Sequence, residues 1–554
     1  MVAHSRPGTA VVPAIAALVA VAVMLSGIGN GFAYDDIPII VENTALHSPA
    51  ELPLRLIQPY WPAALYRPVT LAAFGLQWIA GGGGPLLFHL VSLCLYAALA
   101  VQVVLLGRRM GAPPFAALLA GVVFAVHPVH SEVTANVVGQ AELLSGLLVV
   151  AAILTYLRAR ERGGPNWGET TAILAFSLLA SLAKESGYVV VGLLVAAELL
   201  VVPFLGSAGP DRSRLRVPAL VLLATMLAAI LVRIAILGGI GGEAPHQSWL
   251  GMSAAHRAVA MLGVVPEWAR LLVFPLHLQA DYGPPALAPE AAPGLAHLLG
   301  ALLVLAVLGG LVWARRRDPL LAFGLAWVAL ALAPVANIAF PTGIILAERT
   351  LFLPSIGVSL VIAGAAARLA PRLSARATGA LGAATAALLL AAAVWSGLRQ
   401  PAWRDSRTIL TRTVQDAPRT YRAHMVLGKE LLHEGDREAA KRSFALAGEL
   451  WAHDPGPFEE LGQLLRAEGA CDEAIVVLRR GIAADSTSDI ARSRLVECLI
   501  VEQRWDEAAV EVGRGLGQGV SAYRGALGRI EAGRRVPIAA GPATAPMIRA
   551  RRNP

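Results

Sequence analysis

Two adjacent carboxylates, Asp35 and Asp36, follow the first long apolar stretch of the chain, Val11 to Ile28, in the run Asn30-Gly31-Phe32-Ala33-Tyr34-Asp35-Asp36. Carboxylates are costly near hydrocarbon, so a pair at the mouth of a membrane helix is a candidate site; the plainer reading is that it marks where the helix meets water. Cations that could steady a departing anion recur in the same half of the chain: Arg67 in Tyr66-Arg67-Pro68, Lys184 in Lys184-Glu185, and Arg349 in Glu348-Arg349. Arg67 suits a lipid phosphate, or serves only as an interfacial arginine. Lys184 is one of three lysines, with Lys429 and Lys441, in an otherwise arginine-using chain. Its compact ammonium fits a phosphate leaving group, against a local ion pair with Glu185.

A third cluster, His127-Pro128-Val129-His130-Ser131-Glu132, ends an apolar run. The two histidines and Glu132 are close enough to hold a metal, but Pro128 breaks any helix between them, which favours hydrogen-bonded support of a site. Glu142 opens the next apolar segment, where a carboxylate is either part of the site or a partner for the helix dipole. A divalent cation is left open by these residues, and no cofactor is required by them.

The elements that must position these groups are membrane helices. The 554 residues are 56% hydrophobic, with mean hydropathy +0.61, which excludes an ordinary soluble domain. A span needs about 20 apolar residues. Eleven stretches qualify or come close: 11–29, 86–106, 114–127, 141–157, 169–183, 187–205, 217–237, 295–313, 319–336, 351–369 and 377–397. Segment 257–276 is apolar but carries Arg257, Glu267 and Arg270, and reads as an interfacial or re-entrant helix.

Arginine sets the orientation. Alternate short loops hold fifteen: Arg6, Arg108, Arg109, Arg158, Arg160, Arg162, Arg212, Arg214, Arg216, Arg315, Arg316, Arg317, Arg368, Arg372 and Arg376. The longer opposite loops hold six cations: Arg55, Arg67, Lys184, Arg257, Arg270 and Arg349. The positive-inside rule then places the N-terminus in the cytoplasm and the C-terminal part outside. All the candidate residues, with His246 and Asp281-Tyr282, fall on the outer face. The formal charge of +8 reads as loop arginine holding topology, not as a nucleic-acid surface. Three cysteines, Cys94, Cys471 and Cys498, show no metal spacing and no disulfide framework, although Cys471 and Cys498 would pair if the fold brought them together.

Beyond Trp395 the chain turns polar and repeats itself. Leu427-Gly428, Gly435, Ala440, Phe444 and Ala447 recur 34 residues later as Leu461-Gly462, Gly469, Ala474, Leu478 and Gly481, and a weaker third copy holds Leu495, Ala508 and Gly515. That period is the tetratricopeptide signature. The expected organisation is all-α: a polytopic helical domain over 1–397 with its first outer loop at 30–85, a linker at 398–420, about three repeats over 421–534, and a disordered tail at 535–554.

Several stretches together resemble the transmembrane O-mannosyltransferases that carry tetratricopeptide repeats, which in animals modify cadherins, and more distantly the protein O-mannosyltransferases and the GT-C glycosyltransferase superfamily. They are Tyr34-Asp35-Asp36, Tyr66-Arg67-Pro68-Val69-Thr70, Phe124 to His130, Asn136 to Glu142, Ala183 to Gly187, Pro334 to Asn337, and Leu346-Ala347-Glu348-Arg349. The animal proteins carry more repeats.

The resemblance implies a GT-C-like enzyme that moves a sugar, mannose in that family, from a polyprenyl-phosphate donor to Ser or Thr hydroxyls of proteins on the outer face, with inversion. It implies Asp35 or Asp36 as the base, with Asp35 preferred and Asp36 orienting the acceptor. Lys184, Arg349 and Arg67 would bind the donor phosphate, and His127, His130, Glu132, Glu142, Glu185 and Glu348 would support the site. The repeats would present a protein acceptor. Independently of the resemblance, the Ala-, Gly- and Arg-rich usage with three lysines suggests a GC-rich bacterial genome, so the expected home is a bacterial inner membrane. Two other readings remain open: a non-catalytic repeat scaffold anchored in the membrane, and a GT-C enzyme acting on a lipid or polysaccharide.

Overall fold

The structure, a computed structural model, describes the chain apart from residues 1–10, 61–64, 206–214, 240–244, 290–291, 519–522 and 535–554. The expectations for Arg6, Arg212, Arg214 and the tail 535–554 lie outside the described residues.

Among the described residues the chain is all-α, with two isolated bridges, Tyr60 to Leu65 and Tyr282 to Leu346, in place of any sheet. Seven helices are long and apolar enough to cross a membrane: Pro85–Arg109, Val137–Glu161, Glu185–Phe204, Arg216–Leu237, Leu295–Ala314, Glu348–Arg372 and Ala375–Trp403. An eighth candidate is the pair Pro114–Val126 and Pro128–Ala135, bent by 49°. Pro128 supplies the break, because its ring cannot continue the helical hydrogen bonds.

Three of the eleven expected spans are shorter helices, Val11–Gly27, Trp167–Ala183 and Pro319–Val335. At 1.5 Å per residue, 17 residues reach about 25 Å, less than the roughly 30 Å hydrocarbon core. Segment 257–276 is helical over Ala254–Val273 and is not among the helices apolar enough to cross.

The chain divides into two compact units, Met1–Ala423 and His424–Pro554. The stretch 398–420, expected as a linker, is helical at Gln400–Trp403 and Ser406–Asp416 and belongs to the first unit.

In the first unit, close helix approach comes from small residues. Gly324 and Gly357 face each other, so that a Cβ on either would meet the other's carbonyl oxygen at 2.8 or 2.6 Å. Helices that gain little from burying apolar surface in lipid associate through such close packing. The end of the first helix is tied to the end of the last span by polar bonds: Ser26 Oγ to the Gly397 carbonyl at 2.7 Å and Asn30 Nδ2 to the Gln400 carbonyl at 2.9 Å. Two more bonds tether the loop that follows, from Gly31 N to the Arg404 carbonyl at 2.8 Å and from Tyr34 N to Ser406 Oγ at 2.9 Å.

The second unit is a succession of short helices, Arg437–Leu450, Gly456–Ala467, Cys471–Ala484, Asp489–Val501, Trp505–Gly517 and Tyr523–Arg534. The 34-residue repeat is explained by its small positions: Gly428 receives Phe444 and Gly462 receives Leu478, with no room for a Cβ at either. Cys471 and Cys498 are brought together, their sulfurs 2.8 Å apart in a buried contact between free thiols.

Candidate functional site

The loop carrying the two aspartates turns sharply at Tyr34, whose φ of 54° is left-handed and uncommon for a residue with a side chain. The turn sends the neighbouring carboxylates to different places. Asp36 has no exposed surface. Its Oδ1 accepts from Val138 N at 2.8 Å, and its Oδ2 accepts from Ala33 N at 3.1 Å and Val137 N at 3.3 Å. Val137 and Val138 open the span Val137–Glu161, so Asp36 satisfies the free N–H groups that any helix start leaves. Burial pushes its pKa up to about 7, against the pull of those three N–H bonds. A side chain enclosed in this way does not reach an acceptor.

Asp35 keeps 18% of its side chain exposed, and its Oδ2 lies 3.1 Å from Arg349 Nη1. The same Nη1 lies 3.1 Å from Oε1 of Glu132, and Arg349 N donates to Glu132 Oε2 at 2.9 Å. Arg349 thus bridges the first loop and the buried turn after Pro128.

Beyond Arg349 the ion pairs continue. Lys184 Nζ pairs with Glu142 and not with its sequence neighbour Glu185. Glu185 takes Arg67, with Nε donating at 3.0 and 3.2 Å and Nη2 at 2.8 Å, and also Arg233 at 2.9 Å. Arg233 in turn donates to the Tyr66 carbonyl at 3.1 Å. Burial lowers the Lys184 pKa; Glu142 opposes this, while the like charges of Arg67 and Arg349 reinforce it. The cations expected to meet a phosphate are therefore mutual neighbours. Arg67, Lys184, Arg233 and Arg349 face Asp35, Glu132, Glu142 and Glu185, four charges against four, so each cation is held by a carboxylate.

The remaining expected site residues are packed into the protein. His130 is fully buried, Nδ1 at 2.8 Å from Tyr96 Oη and Nε2 at 2.8 Å from Ser355 Oγ. His127 Nε2 lies 3.0 Å from the Leu272 carbonyl. Glu348 accepts from Gln279 N at 2.6 Å and from Tyr282 Oη at 2.8 Å. With the histidine nitrogens engaged and Glu132 bound to Arg349, these side chains do not form a metal centre. Among the described residues no three His, Cys, Asp or Glu side chains are grouped to hold one.

An open cleft is lined by Tyr34, the neighbour of Asp35, by its partner Arg349, and by His246, Asp281, Tyr282, Tyr421, Arg422 and residues 343–347. Burial raises the Asp281 pKa, against the attraction of Arg422 and Arg349. Burial also raises the Tyr34 phenol, with Asp35 adding to the shift, to about 12.

No family profile matches the chain. Individual curated proteins do. Protein O-mannosyl-transferase TMTC3 of Mus musculus is 27% identical over 371 residues, 60% of this chain and 40% of its own. Protein O-mannosyl-transferase TMTC4 of Mus musculus is 27% identical over 469 residues, 74% of this chain and 62% of its own. The human TMTC4 is 27% identical over 502 residues, or 80% and 67%. The chain is thus similar, over much of its length, to proteins named protein O-mannosyl-transferases. It spans between 40% and 62% of the length of the two mouse proteins.

The charged row and the cleft hold residues beyond those expected. Two contributors were not singled out from the sequence. Arg233 lies inside an apolar span, where it reads as the span's end, and Arg422 lies in a repeat-like helix, where an arginine reads as surface charge. The available signal for Arg233 was its place within a membrane helix, where an ionisable side chain marks a partner nearby.

Proposed function

We propose that this chain is a membrane glycosyltransferase that moves a sugar, mannose by kinship, from a polyprenyl-phosphate donor to Ser or Thr hydroxyls of proteins, with inversion. The observation that carries the reading is the placement of Asp35: partly open, paired with Arg349, which itself lines the cleft, in the same charged row as Lys184 and Arg67. Asp35 accepts the hydroxyl proton as the oxygen attacks the anomeric carbon, while the bond from that carbon to the phosphate oxygen breaks. A hydroxyl is a far weaker acid than a carboxylic acid, so proton transfer and attack are concerted.

The leaving polyprenyl phosphate gains charge in this step. Lys184, Arg67 and Arg349, already oriented by their carboxylates, attract that oxygen more strongly as its charge grows. Such an interaction, stronger in the transition state than before it, is what accelerates a reaction. Donor binding competes with Glu142 for Lys184. Asp36 fixes the loop, and His130 and Glu348 fix the surrounding turns. The arginine asymmetry supports an outer-face site, with the N-terminus inside and the repeats outside, and the arginine-rich, lysine-poor composition supports a bacterial inner membrane as the setting. The repeats offer a groove for a protein acceptor.

The test is transfer of radiolabelled mannose from polyprenyl-phosphate mannose in membranes containing the protein, beside Asp35→Asn at matched expression. Loss of roughly 100-fold or more is expected from removing a general base. Equal labelling by both proteins would take Asp35 out of the mechanism. No transfer from any of several donor sugars would leave the enzyme reading without support.

A further inference from the structure

The charged row ends in a carboxylate that the proposed chemistry does not use. Among the described residues, Asp281 Oδ2 is buried and has no hydrogen-bond partner. Its Oδ1 lies 3.9 Å from Arg422 Nε, beyond hydrogen-bond distance. The other acidic side chains of the row are engaged: Glu132 by Arg349, Glu142 by Lys184, and Glu185 by Arg67 and Arg233. A buried acceptor left unfilled is uncommon and costly, and one that lines an open cleft is filled when a ligand arrives. Asp281 and Arg422 both line the cleft, and the Arg422 side chain is 39% exposed.

The order of charges gives the pair its place. Tyr34 has Asp35, Arg422, Asp281 and Arg349 as its charged neighbours. Those of Lys184 are Glu142, Arg67 and Arg349. Arg349 is common to both, so the Asp281–Arg422 pair and Lys184 lie toward opposite ends of the row. An inverting displacement brings the acceptor in on the side away from the leaving group. With the phosphate at Lys184, the acceptor comes from the cleft.

The chemistry of the pair narrows the acceptor. A carboxylate oxygen seeking a donor, beside a guanidinium that donates, matches a peptide amide, which offers one N–H and one carbonyl. A lipid alcohol carries neither beyond its reacting hydroxyl. We propose that Asp281 and Arg422 seat a polypeptide acceptor, Asp281 Oδ2 accepting an amide N–H and Arg422 donating to a carbonyl next to the reacting Ser or Thr. This rests on the transferase reading above.

The test uses the full chain in lipid nanodiscs, polyprenyl-phosphate mannose as donor, and a mixture of capped octapeptides with one central Thr and randomised flanks. A second mixture replaces the amide next to Thr by an ester, which removes the N–H. Asp281→Asn and, separately, Arg422→Gln are expected to raise the peptide KM about 10- to 100-fold with the donor KM unchanged, the size of effect a lost charged hydrogen bond gives. The wild type is expected to use the ester mixture as poorly as Asp281→Asn uses the amide mixture. The proposal is overturned by an unchanged peptide KM in both variants, by a rise in donor KM instead, or by equal use of ester and amide. Transfer by the wild type to a lipid or polysaccharide fraction and not to peptide overturns it while the transferase reading stands. Absence of transfer to any acceptor overturns both.

Discussion

Asp35 and Arg349 are 314 positions apart in the chain, and their side chains meet at 3.1 Å. The contact joins the loop after the first helix to the turn that opens the span Glu348–Arg372, and Glu132 completes it from a third segment. The position of the candidate base is thus set by long-range charge pairing and not by its own loop alone.

Removing the guanidinium should be felt twice. Arg349→Met leaves the buried Glu132 and the half-buried Asp35 without their cation, and unpairing a buried charge costs about 3 kcal/mol. Thermal melting in detergent should fall, and transfer should fall further than stability explains. Arg349→Lys keeps the charge but loses the two-sided contact. It should recover most of the stability and little of the transfer. Equal recovery of both would make Arg349 a purely structural residue.

The two aspartates should separate by assay. Asp36→Asn sets an amide NH₂ against backbone N–H groups and lowers stability, whereas Asp35→Asn leaves the fold intact and removes transfer. Asp36 also predicts a pH dependence. Its folded pKa of about 7 lies above the 3.8 of an ordinary aspartate. The folded state therefore binds this proton more tightly than the unfolded chain. Its stabilising share is complete below about pH 4 and is lost as the pH rises through 7. Wild type should melt higher at pH 5.5 than at pH 8, and the difference should shrink in Asp36→Asn. An identical difference in the two proteins would remove Asp36 as its source.

Lys184→Gln should act on the donor. A lost charged contact to phosphate is worth about 10- to 100-fold in affinity, read as a higher KM for polyprenyl-phosphate mannose at saturating acceptor. A rise in acceptor KM with donor KM constant would move Lys184 away from the phosphate.

The proposed orientation is open to proteolysis. In sealed right-side-out vesicles, added protease should digest the repeat unit and spare it in inverted vesicles. The reverse pattern would place the repeats in the cytoplasm and reverse the assignment of every loop.

The helical pattern was legible because long apolar runs and a 34-residue period are one-dimensional signals. Seven long helices and the repeat unit follow from them. The pairing of charges was not legible. Lys184 stands next to Glu185 in the chain, yet adjacent residues do not face each other at a helical turn, and each pairs elsewhere, with Glu142 and with Arg67 and Arg233. The aspartate pair looked like one unit of chemistry. Only the left-handed turn at Tyr34 shows that Asp36 caps a distant helix while Asp35 turns to Arg349. Arg422 escaped notice because a repeat helix is rich in arginine, and nothing in its spacing marks one as facing inward.

The bonds from Asn30 to Gln400 and from Tyr34 to Ser406 also carry a schedule. They join residues 370 and 372 positions apart, and at about 5–20 residues per second a ribosome takes roughly 20–75 s to cover that distance. Throughout that interval the loop bearing Asp35 lacks these two tethers, although Val138 and Arg349 are made earlier. On the reading proposed above, a chain halted before residue 400 would hold its cations yet lack the last bonds that fix the loop of the candidate base.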